Sequence, residues 1–501
     1  MNTRPEWLFR PGICSLEQGR QIMQKTLKRE TVFYGVSKYT NVFMTLLTSS
    51  VLSRILTPSE FGVVNIVTVF TAFFTILSDM GLGTAVIQNK SLTDDEIGDI
   101  YSFSVYAAFV LGAVFLILGW PISVFYGDPV YLKICGLLSI SVFFNAVNII
   151  PNAVLMKSKR FGLVGKRLIA VSAATGAIAI AMAATGFSFY AIVFQSIFQA
   201  VFIFLWNYWN TRLKFRFRFK AASIRKVRQY STYQFSYSLI NYFARNLDNL
   251  LIGKALGSVN LAYYDKGYRL MMYPVQNLTY VINPILHPVL SDYQNDKAYI
   301  YSAYMKVVRV LSLLGLFISL YCFWASEEII MVFFGDQWAK SVPVFRLLSL
   351  SVWPQLVSTS AGSIYQSTGN TKLMFKSGTI HFTTTIVLIV IGVLHGELKT
   401  VALLVAVSLY LRFFIDYYFL VVKGFGYAYG TFLKAFSKDI VILSAMACAI
   451  IAARHLSVNG ILWSLLVKAA ILGCVYLAAA ALTGQLSELV FLVKRKYVKK
   501  Q

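Results

Sequence analysis

The sequence predicts an all-α integral membrane protein of about 14 transmembrane helices, two pseudo-symmetric six-helix bundles plus two C-terminal helices. Three observations predict it. The 501 residues are 57% hydrophobic and 13% charged, with a mean hydropathy of +0.64, whereas soluble domains carry about 25% charged residues. Apolar runs of about 20 residues recur along the chain, the length a helix needs to cross a bilayer, and none has the strict alternation of an outer-membrane barrel. The third is an internal repeat at an offset of 200 residues: LSRILTPSEFGVVN (52–65) lies over IGKALGSVNLAYYD (252–265), with Asn41 on Asn241 and Arg54 on Lys254.

Residues 1–30 are polar and carry Arg10, Arg20, Lys25, Lys28 and Arg29. Without an apolar core of signal-peptide type they read as a cytoplasmic segment that is not cleaved. The first six spans fall near 33–55, 61–87, 99–120, 130–155, 164–186 and 187–209 and form a bundle over 31–210. A basic linker, 211–230, follows. The second bundle, 231–423, has spans near 233–255, 261–287, 304–325, 341–367, 373–394 and 399–422. Two extra spans near 439–454 and 461–483 occupy 424–487, and 488–501 is a basic tail.

Orientation follows from the loop cations, since short cytoplasmic loops are enriched in Lys and Arg. With the N-terminus inside, the inner side receives Lys157, Lys159, Arg160, Lys166, Arg167, Lys372, Lys376, Lys423, Lys434, Lys438 and five tail cations. The richest inner loop holds Arg212, Lys214, Arg216, Arg218, Lys220, Arg225, Lys226 and Arg228. Outer loops hold Arg54, Lys133, Lys254, Lys340, Lys399 and Arg454. Both termini are therefore expected in the cytoplasm. This distribution also turns the net charge of +25 away from a nucleic-acid reading. An even number of spans separates the repeat copies, so they share one orientation, as in transporters whose halves rock about a central cavity.

The stretch 239–284 is apolar enough for two membrane helices, yet holds Arg245, Asp248, Asp265, Lys266 and Arg269. A charge near the bilayer centre costs roughly 2.5–3.5 kcal/mol on insertion scales and faces a bundle interior or a wet cavity. Asn241, Arg245 and Asp248 fall on one helix face at i, i+4, i+7. Asp265, Arg269 and Gln276 share another stripe, with Lys266 beside it; Lys38, Asn41 and Thr45 line span 1; Arg412 and Asp416 are i, i+4 on span 12. Arg346 and Lys468 also lie within spans, the first near an outer end where it can snorkel. Two readings compete: a cationic cavity for an anionic, hydroxyl-rich solute, with Arg as a bidentate phosphate ligand, or ion pairs that neutralise one another and fix helix packing. The surplus of cations around Lys266 and Arg269 favours the cavity there.

Asp79 precedes Met-Gly-Leu-Gly and either caps a helix break or serves, with Asp265 and Asp416, as an ion-coupling carboxylate. His287 and His381 are protonation switches or histidines satisfied by neighbours. Cys14, Cys135, Cys322, Cys448 and Cys474 show no CxxC spacing and read as small hydrophobes. No HExxH or Walker A lysine is present, and Gly424-x-Gly426-x-x-x-Gly430 has the wrong spacing for a dinucleotide loop. Asn277-Leu-Thr279 lies inside a span and is no glycosylation site. No catalytic residue, metal site or cofactor is expected.

RNLDNLLIGKALG (245–257) and YDKGYRLMMYPVQNL (264–278) resemble the motifs opening the second half of bacterial polysaccharide exporters, and LTPSEFG (56–62) and SDMGLG (78–83) match in the first half. The chain is similar over essentially its whole length to the polysaccharide transporter family of the multidrug/oligosaccharidyl-lipid/polysaccharide superfamily, in the colanic acid exporter branch. The resemblance implies a flippase in the bacterial inner membrane for undecaprenyl-diphosphate-linked oligosaccharide repeat units, serving capsule, exopolysaccharide or O-antigen synthesis. It implies H+ or Na+ coupling without ATP, membrane lipids as surroundings, and a polysaccharide polymerase and chain-length regulator as partners. Alternatives within the superfamily are a lipid II flippase, which the sequence excludes only weakly, and a drug/cation antiporter, which would favour acids in the cavity. A membrane glycan polymerase or ligase would need catalytic groups, usually on a large outer loop, and the chain has no such loop.

Overall fold

The computed structural model describes residues 16–89, 91–291, 296–368, 370–454 and 458–486; within its helices the side chains of 16–28, 228–234, 236–238, 240–241, 244–245, 280–291, 366 and 371 are outside the description. Among the described residues all regular secondary structure is helical. In order they form α1 (Leu16–Ile55), α2 (Pro58–Asp79), α3 (Leu82–Gln88), α4 (Asp94–Tyr126), α5 (Val130–Lys157), α6 (Phe161–Ala184) and α7 (Tyr190–Thr211). Then come α8 (Ala221–Ala255), α9 (Ser258–Ser291), α10 (Lys297–Trp324), α11 (Ser326–Phe334), α12 (Ser341–Ser349), α13 (Val352–Ser358), α14 (Ala361–Ser367) and α15 (Thr371–Leu394). The last are α16 (Leu398–Tyr417), which runs into a π-helical turn at Tyr418–Phe425, α17 (Tyr429–Lys434), α18 (Ser437–Ala452) and α19 (Ile461–Leu482).

Among the described residues ten helices are long and apolar enough to cross a membrane. The more polar α1, α8 and α9 and the broken segment 341–367 stand where the sequence predicts the other four crossings. The protein is a multi-pass membrane protein. From Leu16 the N-terminal segment is helical and continuous with the first span.

Two expected spans are interrupted. The segment 61–87 breaks after Asp79, whose Oδ1 accepts the Gly83 amide at 3.1 Å; Gly81 sits at φ +71°, where a side chain would be strained. The segment 341–367 becomes α12, α13 and α14. Hydroxyls at its joints bond back to carbonyls three residues earlier, Ser349 to Arg346 at 2.8 Å, Ser351 to Leu348 at 2.6 Å and Thr359 to Leu356 at 2.7 Å. Such bonds compete with the helical ladder and bend it.

The chain forms two compact units, one of residues up to 55 and 70–241, the other of 56–69 and 242 onward. These differ from the sequence-based division at 211–230, because the first turns of α2 pack with the second unit. In the first unit α4, α5 and α3 enclose Leu82, Val86, Ile100, Tyr101, Ala146 and Ile150. In the second, α10, α14, α16 and α17 bury Tyr304, Tyr365, Phe413, Tyr417 and Phe432. The two extra spans dock through Ile442, Met446, Leu472 and Tyr476 onto Leu313 and Leu320 of α10.

Candidate functional site

The repeat emerges as two helix–turn–helix segments whose turns fall in matching register. The first turns between Ile55 and Pro58, the second between Ala255 and Ser258. Pro58 opens α2 at the position where a missing amide is harmless, and Thr57 and Glu60 cap each other, the Thr57 amide donating to Glu60 at 2.7 Å. Tyr242 of α8 donates its hydroxyl to the Val69 carbonyl.

Around this joint α9 presents a polar cluster. Asp265 is buried and accepts two contacts from Arg269 Nε, at 2.8 and 2.7 Å, and one from Asn65 Nδ2 at 3.2 Å. The pair follows from i, i+4 spacing on one helix face. Arg269 nevertheless keeps 60% of its side chain exposed. Its guanidinium bonds the carboxylate through Nε alone, leaving both Nη nitrogens without a hydrogen-bond partner among the described residues. Those nitrogens can grip an incoming oxyanion while Nε stays anchored. Asp248, one face of α8 away, is buried and accepts from the Tyr264 hydroxyl at 2.7 Å and the Asn249 amide at 2.8 Å.

Lys266 behaves differently from its neighbour. It is 3% exposed, and its ammonium lies 3.8 Å from the centroid of Phe61, 4.7 Å from Phe334 and 4.9 Å from Trp338. The expectation that Lys266 adds charge to an open cavity therefore needs correction: in this conformation its cation is held against aromatic faces, an attraction that grows with desolvation. Phe61 and Trp338 meet edge to face at 5.4 Å, and Gln337 donates to the Leu56 carbonyl at 3.1 Å, so the box ties the start of α2 to the α11–α12 connection.

The other sequence-predicted residues lie elsewhere. Arg412 meets Asp416 at 3.4 Å, and His381 of α15 approaches the same carboxylate at 3.7 Å. Asp416 thus has a cation on one side and a titratable ring on the other. Lys38 lies 5.8 Å from the Tyr34 ring, and Asn41 accepts a hydrogen bond from Ser172 of α6, an inter-helix packing contact in the first unit. Gln276 is exposed. Asp79 caps the break described above. Lys468 pairs with Glu328 of α11, and Arg346 donates to Ser326 at 2.8 Å. The side chains of Asn241, Arg245 and His287, like Cys14, lie outside the described residues.

One polar core was missed by the sequence reading. Arg167, taken there as a loop cation, is 6% exposed in the first unit. It donates to Asn207 at 2.7 Å and Asn152 at 3.0 Å, and Asn207 donates to Asn148 at 2.7 Å. The available signal was Asn148 and Asn152 at i, i+4 on one apolar span. Asp439 is similar: buried, it accepts from Ser312 and from Gln485 at 2.9 Å.

Residues 51–343 match the model of the family described as polysaccharide biosynthesis protein. The chain is 27% identical to an uncharacterised membrane protein in the cps region of Klebsiella pneumoniae, over 70% of this chain and 73% of that one. It is 23% identical to the lipopolysaccharide biosynthesis protein WzxC of Escherichia coli K12, over 66% and 68%, and 22% identical to the succinoglycan biosynthesis transport protein ExoT of Rhizobium meliloti, over 65% and 66%. Among solved structures its fold is similar to that of the lipid II flippase MurJ in an inward closed conformation, with a TM-score of 0.72 over 90% of this chain and 98% of that one at 13% identity. A multidrug resistance MATE transporter of the MOP superfamily in an inward-facing conformation follows at 0.58, over 75% and 93% at 12% identity. The fold is similar to those of these two transporters, and the chain belongs to the polysaccharide biosynthesis protein family.

Proposed function

We propose that the protein is a flippase that moves polyprenyl-diphosphate-linked oligosaccharide repeat units from the inner to the outer leaflet of a bacterial cytoplasmic membrane, by alternating access and with ion coupling. Both termini lie on the cytoplasmic side in this reading. The observation that carries it is Arg269. A guanidinium on a membrane helix, anchored to Asp265 through Nε and exposed with two Nη nitrogens unengaged, suits the oxygens of a diphosphate. The names of the relatives WzxC and ExoT support polysaccharide export as the purpose. A drug/cation antiporter would want an unpaired carboxylate in the cavity, whereas Asp265 is committed to Arg269. Asp416, between Arg412 and His381, is the carboxylate best placed to exchange a coupling ion.

The test is flipping of a fluorescent lipid-linked oligosaccharide in proteoliposomes. Losing a hydrogen bond to a charged group costs about 1.5–3 kcal/mol, so Arg269→Ala is expected to slow flipping by about tenfold to a hundredfold. Arg269→Lys keeps the charge without the planar geometry and falls between. Arg269→Ala with Asp265→Asn removes the orphaned carboxylate and stays slow. Wild-type flipping by Arg269→Ala at a normal protein level, or transport of organic cations in place of the glycolipid, would sink the reading.

A further inference from the structure

The segment between α7 and α8 reads LKFRFRFK at 213–220, an alternation of aromatic and basic residues in non-helical backbone that bends at Phe217 and Arg218. We propose that this segment is a membrane-surface anchor that binds the anionic phospholipid head groups of the leaflet it meets. Three features point there.

The backbone is fixed along the start of α4. The Arg216 amide donates to Ser102 at 2.9 Å, its guanidinium to Asp95 at 2.6 Å, and Tyr106 donates to the Phe217 carbonyl at 3.0 Å. The Asp95 carboxylate pushes the Arg216 guanidinium up from its ordinary value through that hydrogen bond, so the clamp holds at any physiological pH. Just downstream Ser223 bonds Asp99 at 2.7 Å and Lys226 pairs with Glu96.

Despite this fixed backbone, Phe217 is 84% exposed. It is part of a ridge: Phe217 meets Phe215 at 5.1 Å, and Phe215 meets Tyr106 at 5.6 Å. The ridge continues along α4 through exposed Phe109, Val110, Val114 and Ile117, on a helix that has the length and apolarity of a membrane span. Trp209, closing α7, is also exposed. An aromatic ridge at the end of a lipid-facing stripe lies at the depth where Trp and Tyr belts form, and a basic segment with apolar side chains beside it is the composition of interfacial anchors.

The charges complement an anionic surface. Asp95, Asp99 and Glu96 are taken up by Arg216, Ser223 and Lys226. Arg212, Lys214, Arg218 and Arg225 are exposed and form no ion pair with a described residue. A purely solvated charge run would have no use for the phenylalanine between them.

The experiment uses the full chain with its five cysteines replaced by serine, Phe217→Cys carrying an environment-sensitive fluorophore, in nanodiscs. Spin-labelled phosphatidylglycerol and spin-labelled phosphatidylcholine serve as head-group probes. The label is expected to be quenched by a shallow nitroxide lipid and shielded from aqueous iodide. Selectivity for the phosphatidylglycerol probe falls on R212Q/K214Q/R218Q by up to about fivefold per cation removed, and in high salt. Should the triple variant fail to fold, Arg218→Gln alone, checked by its melting curve, carries the same test. A label that iodide quenches as it does free dye would overturn the proposal and leave the segment as a surface for a soluble acidic partner. Unchanged lipid selectivity in a folded variant overturns it as well.

Discussion

Asn65 and Asp265 occupy equivalent places in the two repeat copies, 200 positions apart, and the amide of one donates to the carboxylate of the other at 3.2 Å. The pair joins α2 to α9 directly beside the Asp265–Arg269 contact. Asn65→Asp sets a second carboxylate against the first, and like charges at this distance repel. Its melting temperature in detergent is expected to fall, and Asp265→Asn in the same chain is expected to restore part of the loss by returning one amide–carboxylate pair. A double-mutant cycle with alanine should report a coupling of about 1.5 kcal/mol, the low end for a hydrogen bond to a charged group. An Asn65→Asp protein as stable as wild type would mean that this contact does not hold α2 to α9.

How much of this was legible depends on range along the chain. The repeat register was readable because the copies keep their turn chemistry, with Pro58 in one hairpin and Gly257 in the other. The Asp265–Arg269 pair and the Asp79 cap were readable because each partner lies within one turn. Partners 140 residues away, such as Glu328 for Lys468, leave no local trace. Arg167 was misplaced for the related reason that its asparagine partners are neutral, so counting charges could not find them. The breaks in 341–367 did have a signal, the hydroxyls at Ser349, Ser351 and Thr359, which strong hydropathy outweighed.

Lys266 and Arg269 sit three residues apart and should fail differently. Lys266→Met keeps the aliphatic stem between Phe61, Phe334 and Trp338 but removes the cation, so the loss is the cation–π attraction, about 2 kcal/mol for a desolvated site. Phe61→Ala empties the box and should cost about 3–5 kcal/mol. The two effects overlap, since both remove the Phe61 contact, and the double variant is expected to lose less than the total of the singles. Melting curves with a flipping assay would separate this from Arg269, whose loss is expected to reduce transport more than stability. Strictly additive losses would argue that Lys266 and Phe61 do not share the box.

The Arg167 network predicts a similar separation within the first unit. Asn207→Leu removes the 2.7 Å acceptor of Arg167 and the donor to Asn148 together. A lost hydrogen bond to a charged group costs about 1.5–3 kcal/mol. Arg167→Met instead orphans Asn152 and Asn207, each at about 1–3 kcal/mol. Combining Arg167→Met with Asn207→Leu replaces both partners with apolar groups and should recover stability relative to Asn207→Leu alone. If Arg167 were a solvated loop cation, as its sequence context suggests, all three variants would melt together with wild type.

The start of α2 passes close to the start of α9 at Gly62. A β-carbon there would overlap the Ser258 carbonyl oxygen and carbon, both backbone atoms that cannot rotate away. Its repeat counterpart, Ala262, carries a methyl and is fully buried, so the two copies are not interchangeable at this point. Gly62→Ala must therefore move the first turn of α9 away from α2, and overpacking of this kind typically costs about 1–3 kcal/mol. Because Asn65 lies three residues further along the same helix, the displacement should also lengthen its hydrogen bond to Asp265. Gly62→Ala is then expected to lower the melting temperature and to abolish most of the Asn65–Asp265 coupling in the cycle described above, whereas Ala262→Gly should be nearly neutral for that coupling. Finding the coupling intact in Gly62→Ala would mean that the helices accommodate the methyl without separating at Asn65 and Asp265.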